Sequence, residues 1–384
     1  MQSTRTAAGF SGHTEIGGKA SSAEPAGMRF QTACSRKGHR MSRASIRYLG
    51  YVGDENSINL GDEAVFQAIR RQLAPWPLRR ATYRRRERWL SLRRDRIAML
   101  GGGTLIGSAG GRKDVFREPF ARAARRSALS VVFGTGVEPC PPLEEGLAPP
   151  RWLLEWGESL ADVDILTVRG PESAETLRSV GRTAEVVGDP ALAWMQPADY
   201  WTPMPRRVGI NVRLSELEYG TAESACALTV ALVKTLAARG REVHFMIVSP
   251  EGVAAAEAVA RQTDTPAERL HPVYADAKAY LGLARTFRSF VGFRLHSVVL
   301  AQCAGVPAVM LAYNPKCTEY MESVGCGDWA LRLDRATPDA CVAMLDELER
   351  QSDAVRSRFL ARGVHFQACQ QRIVAKLQSV LHGE

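Results

Sequence analysis

Short apolar runs and stretches of helical period alternate along this chain, and the alternation occurs twice. Strands are expected over 46–52, 96–100, 130–133, 165–168 and 185–187, with helices over 62–74 and 171–180. Gly101-Gly102-Gly103 is read as a turn into a helical stretch that ends near Arg126. The pattern then breaks at MQPADYWTPMPRR, 195–207, which has three prolines and no periodicity. It restarts with strands over 208–212, 242–248, 289–292 and 308–311, and helices over 222–239, 253–263, 275–286, 295–304 and 315–324. Two last helices are expected over about 338–350 and 353–381.

Strands that alternate with helices must lie parallel, because each return to the sheet needs a crossover that covers a face. The expected fold class is therefore α/β, with two Rossmann-like doubly wound domains facing across a cleft. The first spans 45–196 and the second 208–384, with a linker over 197–207 and the last helix crossing back onto the first domain. In such sheets ligands sit beyond the carboxyl ends of the strands.

Residues 1–44 have no periodicity. They hold seven Lys and Arg against Glu15 and Glu24, more than half of the formal net charge of +9. They read as a disordered leader, or as sequence upstream of a start at Met28 or Met41, and they carry no signal-peptide pattern. The longest apolar stretch, 298–312, is interrupted by Gln302, Gly305 and Pro307, so no membrane span is expected. The eight cysteines form no C-x-x-C pair and no zinc spacing. That implies a reducing compartment, no disulfide framework and no metal centre.

The loops at strand ends carry the chemistry. After the first strand, Asn59 and Asp62 suit the capped start of a helix, and Asn59, Asp62 or Glu63 could also meet a substrate hydroxyl. Gly102, Gly103 and Thr104 lie where a backbone can approach an anion, although neither nucleotide-binding glycine fingerprint is met. FGTGVEP, 133–139, repeats that design one strand later. Arg169 stands just past another strand. In the second half Asn211 and Arg213, then Arg294, Leu295 and His296, then Tyr313 and Lys316, stand at three strand ends. Each alone reads as a solvated end. Together they concentrate cations at one sheet edge, which suits a small substrate with more than one negative charge.

These residues resemble the polysaccharide pyruvyl transferase family. The likeness rests on Asn59-Leu60-Gly61-Asp62-Glu63-Ala64, Gly101-Gly102-Gly103-Thr104, Gly134-Thr135-Gly136, Arg169 with Ser173, Asp189-Pro190-Ala191, Arg294-Leu295-His296, Gly305-Val306-Pro307 and Tyr313-Asn314-Pro315-Lys316. It implies two facing Rossmann-like domains in the GT-B-like arrangement. It also implies a transferase that moves the enolpyruvyl unit of phosphoenolpyruvate onto two hydroxyls of a sugar, forming a pyruvate ketal. The acceptor would be a cell-envelope polysaccharide or exopolysaccharide, or its lipid-linked precursor, in the cytoplasm at the inner face of the membrane. No cofactor beyond the donor and no nucleic acid is expected.

Such a reaction needs a proton donor, and His296 is the side chain whose ordinary pKa suits that task near neutrality. Arg294 and Arg213 would hold the donor's carboxylate and phosphate, Lys316 would meet the leaving phosphate, and Asp62 or Glu63 would take a proton from the attacking hydroxyl. Nine arginines over 79–96, interleaved with Trp89 and Leu90, read as a solvated helix face or as a patch for an anionic membrane surface. The competing reading is a GT-B-type glycosyltransferase that uses a nucleotide sugar, with Glu319 or Glu322 holding the ribose.

Overall fold

The computed structural model describes residues 49–54, 57–80, 97–108, 115–139 and 148–382. The leader, and the arginine-rich 79–96 apart from its first two residues, lie outside them.

The first half forms one parallel sheet. In chain order its elements are β1 (Leu49–Val52), α1 (Leu60–Gln72), β2 (Leu78–Arg80), β3 (Ile97–Leu100), β4 (Gly103–Ile106), α2 (Arg117–Ala124), β5 (Leu129–Val137), α3 (Arg151–Ser159), β6 (Ile165–Val168), α4 (Pro171–Arg178) and β7 (Glu185–Val186). The strands run in the order β2-β1-β3-β5-β6-β7, with β4 beside the far end of β5. A short 3₁₀ turn, Pro190–Trp194, leads out of this lobe.

The second half forms another parallel sheet from β8 (Met204–Asn211), α5 (Ala222–Ala238), β9 (Glu242–Ile247), α6 (Glu251–Gln262), β10 (Leu270–Pro272), α7 (Ala277–Ala284), β11 (Phe287–Gly292), α8 (Leu295–Cys303), β12 (Ala308–Ala312), α9 (Pro315–Ser323), β13 (Ala330–Arg332) and α10 (Pro338–Arg350). Its order is β10-β9-β8-β11-β12-β13. The last helix, α11 (Ser352–His382), spans both lobes.

Burial explains the strand sequences. β1, β3 and β12 are buried at every residue, as strands covered on both faces must be. Helix starts carry their own signals. Asn59 caps α1, Asp62 and Glu63 stand in its first turn and Arg70 and Arg71 in its last, each where the helix dipole favours it. Asn314 caps α9 ahead of Pro315, and Thr221 with Ser224 closes a capping box on α5.

Three expectations are corrected. Gly101-Gly102-Gly103 does not turn into a helix: Gly103–Ile106 extend as β4, and α2 begins only at Arg117. The stretch FGTGV is not a loop but the end of β5, bulged at Gly134 with φ +62° and paired beyond it, where Gly103 and Thr104 meet Thr135 and Gly136. The proline-rich stretch does not end at 207, since Met204–Arg207 already belong to β8. Pro205 lies where the register of β8 against β11 shifts, a position that tolerates its missing amide hydrogen.

The lobes meet closely. The Leu60 amide donates to the Val248 carbonyl at 2.9 Å, and the Gln196 amide to the Cys303 carbonyl at 2.9 Å. Early in α11, Arg362 donates to the Ser323 carbonyl of the second lobe at 3.1 Å. Later in the same helix, Gln367 donates to Leu192 at 2.8 Å and Arg372 pairs with Glu185 at 2.8 Å, both in the first lobe.

Candidate active site

Strand register brings the chemical residues level. Gly292 of β11 pairs with Asn211 of β8 and Met310 of β12, so Arg213 and Arg294 each stand two residues past a shared row. In the first lobe Arg169 follows Val168, which pairs with Thr135 and Val186. These ends open on one cleft of about 220 Å³. The first lobe lines it with Asn59, Asp62, Gly103, Thr104 and Arg169, and the second with Arg213, Arg294, Leu295, His296, Tyr313 and Lys316.

The four cations are held differently. Arg169 is 1% exposed, and its Nη2 lies 3.4 Å from Glu319 Oε2. Its Nε and Nη1 are buried without a hydrogen-bond partner, so this guanidinium has donors to spare inside a cleft wall. Arg294 is 8% exposed, and its Nη2 donates to Glu251 Oε1 at 2.9 Å. Arg213 bonds Glu216 and the Ser215 carbonyl, and its guanidinium stands 4.8 Å from the Tyr313 ring centroid. Lys316 Nζ stands 5.2 Å from that centroid, and no ion pair involves it among the described residues. The aromatic face thus steadies both cations, and of the two only Arg213 also has a carboxylate partner among the described residues.

His296, 14% exposed at its side chain, opens α8. Its Nε2 lies 3.4 Å from Asp189 Oδ2, and Asp189 belongs to the other lobe. Burial alone would push the Asp189 carboxyl up. The His296 charge and bond, Arg169 and the Ala191 amide outweigh that and hold it below the usual carboxylate range. On its other side the ring packs on Gly61, where a Cβ would come within 2.6 Å of Nδ1.

Asp62 behaves in the opposite way. Burial raises its pKa above the ordinary carboxylate value, Glu251 adds to the rise, and His296, Lys316 and Arg294 only partly offset it. A carboxylate beside three cations that nevertheless resists ionisation is suited to taking up a proton.

Three expected site residues do not line the cleft. Glu63 is buried against Gln67, whose Nε2 donates to it at 2.8 Å. Asn211 is fully engaged: its amide donates to the Met246 carbonyl at 2.8 Å, and its oxygen accepts from the Arg294 amide at 3.0 Å and the Ser297 hydroxyl at 3.2 Å. It builds the start of α8 and so aims Arg294 and His296. Gly102 packs against Val65 and Pro190. The cleft also includes Asp54, Leu105, Phe116, Val248 and Ser297, which no motif in the sequence marks. Asp189 had a signal in Asp-Pro-Ala after a strand, but its partner was not legible. Among the described residues no group of three His, Cys, Asp or Glu side chains could hold a metal ion. Among them, too, no helix is long and apolar enough to cross a membrane.

The family model described as polysaccharide pyruvyl transferase matches residues 59–315. No curated protein sequence matches the chain. Among solved structures, Staphylococcus aureus MnaA in complex with UDP is similar at a TM-score of 0.52 and 13% identity, covering 85% of this chain and 83% of its own. A candidate UDP-N-acetylglucosamine 2-epimerase from Listeria monocytogenes is similar at 0.50 and 14%, covering 75% of each chain. A mutant O-GlcNAc transferase from Thermobaculum terrenum is similar at 0.47 and 14%, covering 88% of this chain and 67% of its own. At these identities the first two likenesses concern the fold alone: two Rossmann-like lobes facing across a cleft in the GT-B-like manner.

Proposed function

The chain belongs to the polysaccharide pyruvyl transferase family, and on that premise we propose that it moves the enolpyruvyl unit of phosphoenolpyruvate onto two hydroxyls of a sugar, in a polysaccharide or its lipid-linked precursor. The product is a pyruvate ketal and the by-product is phosphate. The observation that carries this reading is the convergence of Arg169, Arg213, Arg294 and Lys316 on one cleft that also holds His296 and Asp62.

Phosphoenolpyruvate brings a carboxylate and a phosphate, and four cations from two lobes suit that charge. His296 gives a proton to the methylene carbon, and the C=C electron pair forms the new C–H bond. Positive charge then develops at the ester-bearing carbon. A sugar oxygen bonds there, and its proton goes to Asp62. Phosphate departs with the electrons of its C–O bond toward Lys316 and the arginines. The second hydroxyl closes the ketal on the same carbon. Of the two hydroxyl protons, one ends on the new methyl group and one on phosphate.

The nucleotide-sugar reading loses the carboxylates it needs. Glu319 is buried against Arg169 and Ser173, and Glu322 is exposed and outside the cleft lining. The deciding measurement is phosphate release from phosphoenolpyruvate with a panel of acceptor glycans. Release with at least one acceptor is expected. No release with any, together with tight binding of a nucleotide sugar, would overturn the proposal.

A further inference from the structure

We propose that Asp189 is the positioning residue of the His296 imidazole, and that the first lobe thereby arms a proton donor carried by the second. The inference rests on the proposed role of His296.

Asp189 is 1% exposed. Its Oδ1 accepts from the Ala191 amide at 2.9 Å, which caps the 3₁₀ turn. A cap needs only one oxygen, and Asn or Ser would supply it. The second oxygen, Oδ2, is buried with no hydrogen bond elsewhere, and so is His296 Nε2. These two atoms face each other at 3.4 Å. A buried carboxylate oxygen left alone is strongly unfavourable. A few tenths of an ångström of closure makes this contact a charge-assisted bond. The imidazole therefore accounts for a carboxylate at this position where an amide would have served the cap.

The support behind Asp189 is rigid. Gln370 of α11 is fully buried, and its Nε2 donates to the carbonyls of Asp189 at 3.0 Å and Val187 at 3.1 Å. Gln72 of α1 in turn donates to Gln370 Oε1 at 3.2 Å. Between the two carbonyls, Gly188 has φ +76° and lies so close to Phe366 that a Cβ would come within 2.5 Å of it. A residue with a side chain cannot take that place without moving the turn. The imidazole is thus held from both sides by the first lobe, with Asp189 at Nε2 and Gly61 near Nδ1. Nδ1, beside the cleft-lining Gly61, is the nitrogen left to deliver the proton. After transfer the ring is neutral and keeps its other proton on Nε2, against Asp189.

The test uses the full chain. Asp189→Asn keeps the capping oxygen and the side-chain volume and removes the charge. The kcat for phosphate release should fall about 10²-fold while the KM for phosphoenolpyruvate changes by less than about twofold. In a His296→Gln background the same substitution should cost nothing further, because a residue that acts through His296 has nothing left to act on. Additive losses in the double variant would overturn the proposal, as would a KM that rises in step with the loss of kcat. A second readout needs no turnover. In the wild-type chain labelled with ¹⁵N-histidine, the neutral form of His296 should carry its proton on Nε2, and Asp189→Asn, which turns an NH2 donor toward Nε2, should shift the neutral ring toward the Nδ1-protonated form. A neutral His296 protonated on Nδ1 in the wild type would sink the pairing whatever the substrate is. The expected tautomer with no phosphate release would sustain the pairing and overturn the functional reading instead.

Discussion

Glu319 stands on α9 in the second lobe and caps α4 in the first. Its Oε1 accepts from the Ser173 amide and hydroxyl, each at 2.9 Å, while its Oε2 faces Arg169 Nη2 at 3.4 Å. Helix α4 has no side-chain cap of its own. One buried carboxylate therefore ties the lobes together and balances the least exposed cation of the cleft. Glu319→Ala strands Arg169 as a buried, unpaired charge and should cost about 3–5 kcal/mol of stability, seen as a lower denaturant midpoint. Glu319→Gln keeps an acceptor for Ser173 and should cost less. A loss below about 1 kcal/mol for the alanine variant would show that the tie is not structural.

His296→Ala should lower turnover by at least about 10²-fold, the usual contribution of a general acid. Calorimetric binding of phosphoenolpyruvate should stay within a few-fold of wild type, because the arginines and Lys316 remain. Collapse of binding would make His296 a ligand of the donor and not its acid.

Asp62→Asn should remove activity and raise stability. The folded-state pKa of Asp62 lies above its ordinary value of 3.8. Its contribution to stability is therefore present in acid and lost as pH rises through the folded pKa, and at neutral pH the buried charge weakens the fold. Removing that charge should raise the melting temperature by roughly 1 °C at pH 7, as expected of a gain of about 1 kcal/mol in a chain of 384 residues. The difference between variant and wild type should shrink as pH falls toward 3.8 and below. A lower melting temperature for the variant at pH 7 would contradict the electrostatic reading.

Gly61→Ala tests the position of the imidazole. Alanine favours a helix over glycine by about 1 kcal/mol. At this position, however, the new methyl group meets His296 Nδ1 at 2.6 Å and must displace the ring. Overpacking of about 1–3 kcal/mol offsets that gain, so stability should fall by no more than a few kcal/mol, while kcat falls at least about tenfold, a typical consequence of misplacing a catalytic group. Unchanged kcat would mean that the ring position is not critical.

The alternation of strands and helices was legible because parallel strands buried on both faces must be continuous apolar runs, as in IAML and AVMLA. That alternation put Arg294, His296 and Lys316 just past strands, and the register of β8, β11 and β12 brings those ends level. Pairings between distant residues were not legible. Arg169 and Glu319 are 150 positions apart, and nothing local marks either as the other's partner. Asn211 and Arg213 look alike as polar strand-end residues, and only the hydrogen bonds of Asn211 to Met246 and Arg294 assign it to the scaffold. Gly103–Ile106 failed as a helix because its partner strand, one βαβ unit away, holds it extended, which no glycine-rich turn pattern reveals.

The last helix carries a consequence for timing. Gln367, Gln370 and Arg372 brace the Leu192, Asp189 and Glu185 region from a part of the chain made after every strand of both sheets. During synthesis both sheets can form before this brace emerges from the ribosome. The Asp189 turn then lacks its support until α11 docks. A nascent chain would thus carry the cations and the imidazole of the cleft before their final alignment, which waits for a helix made after both sheets.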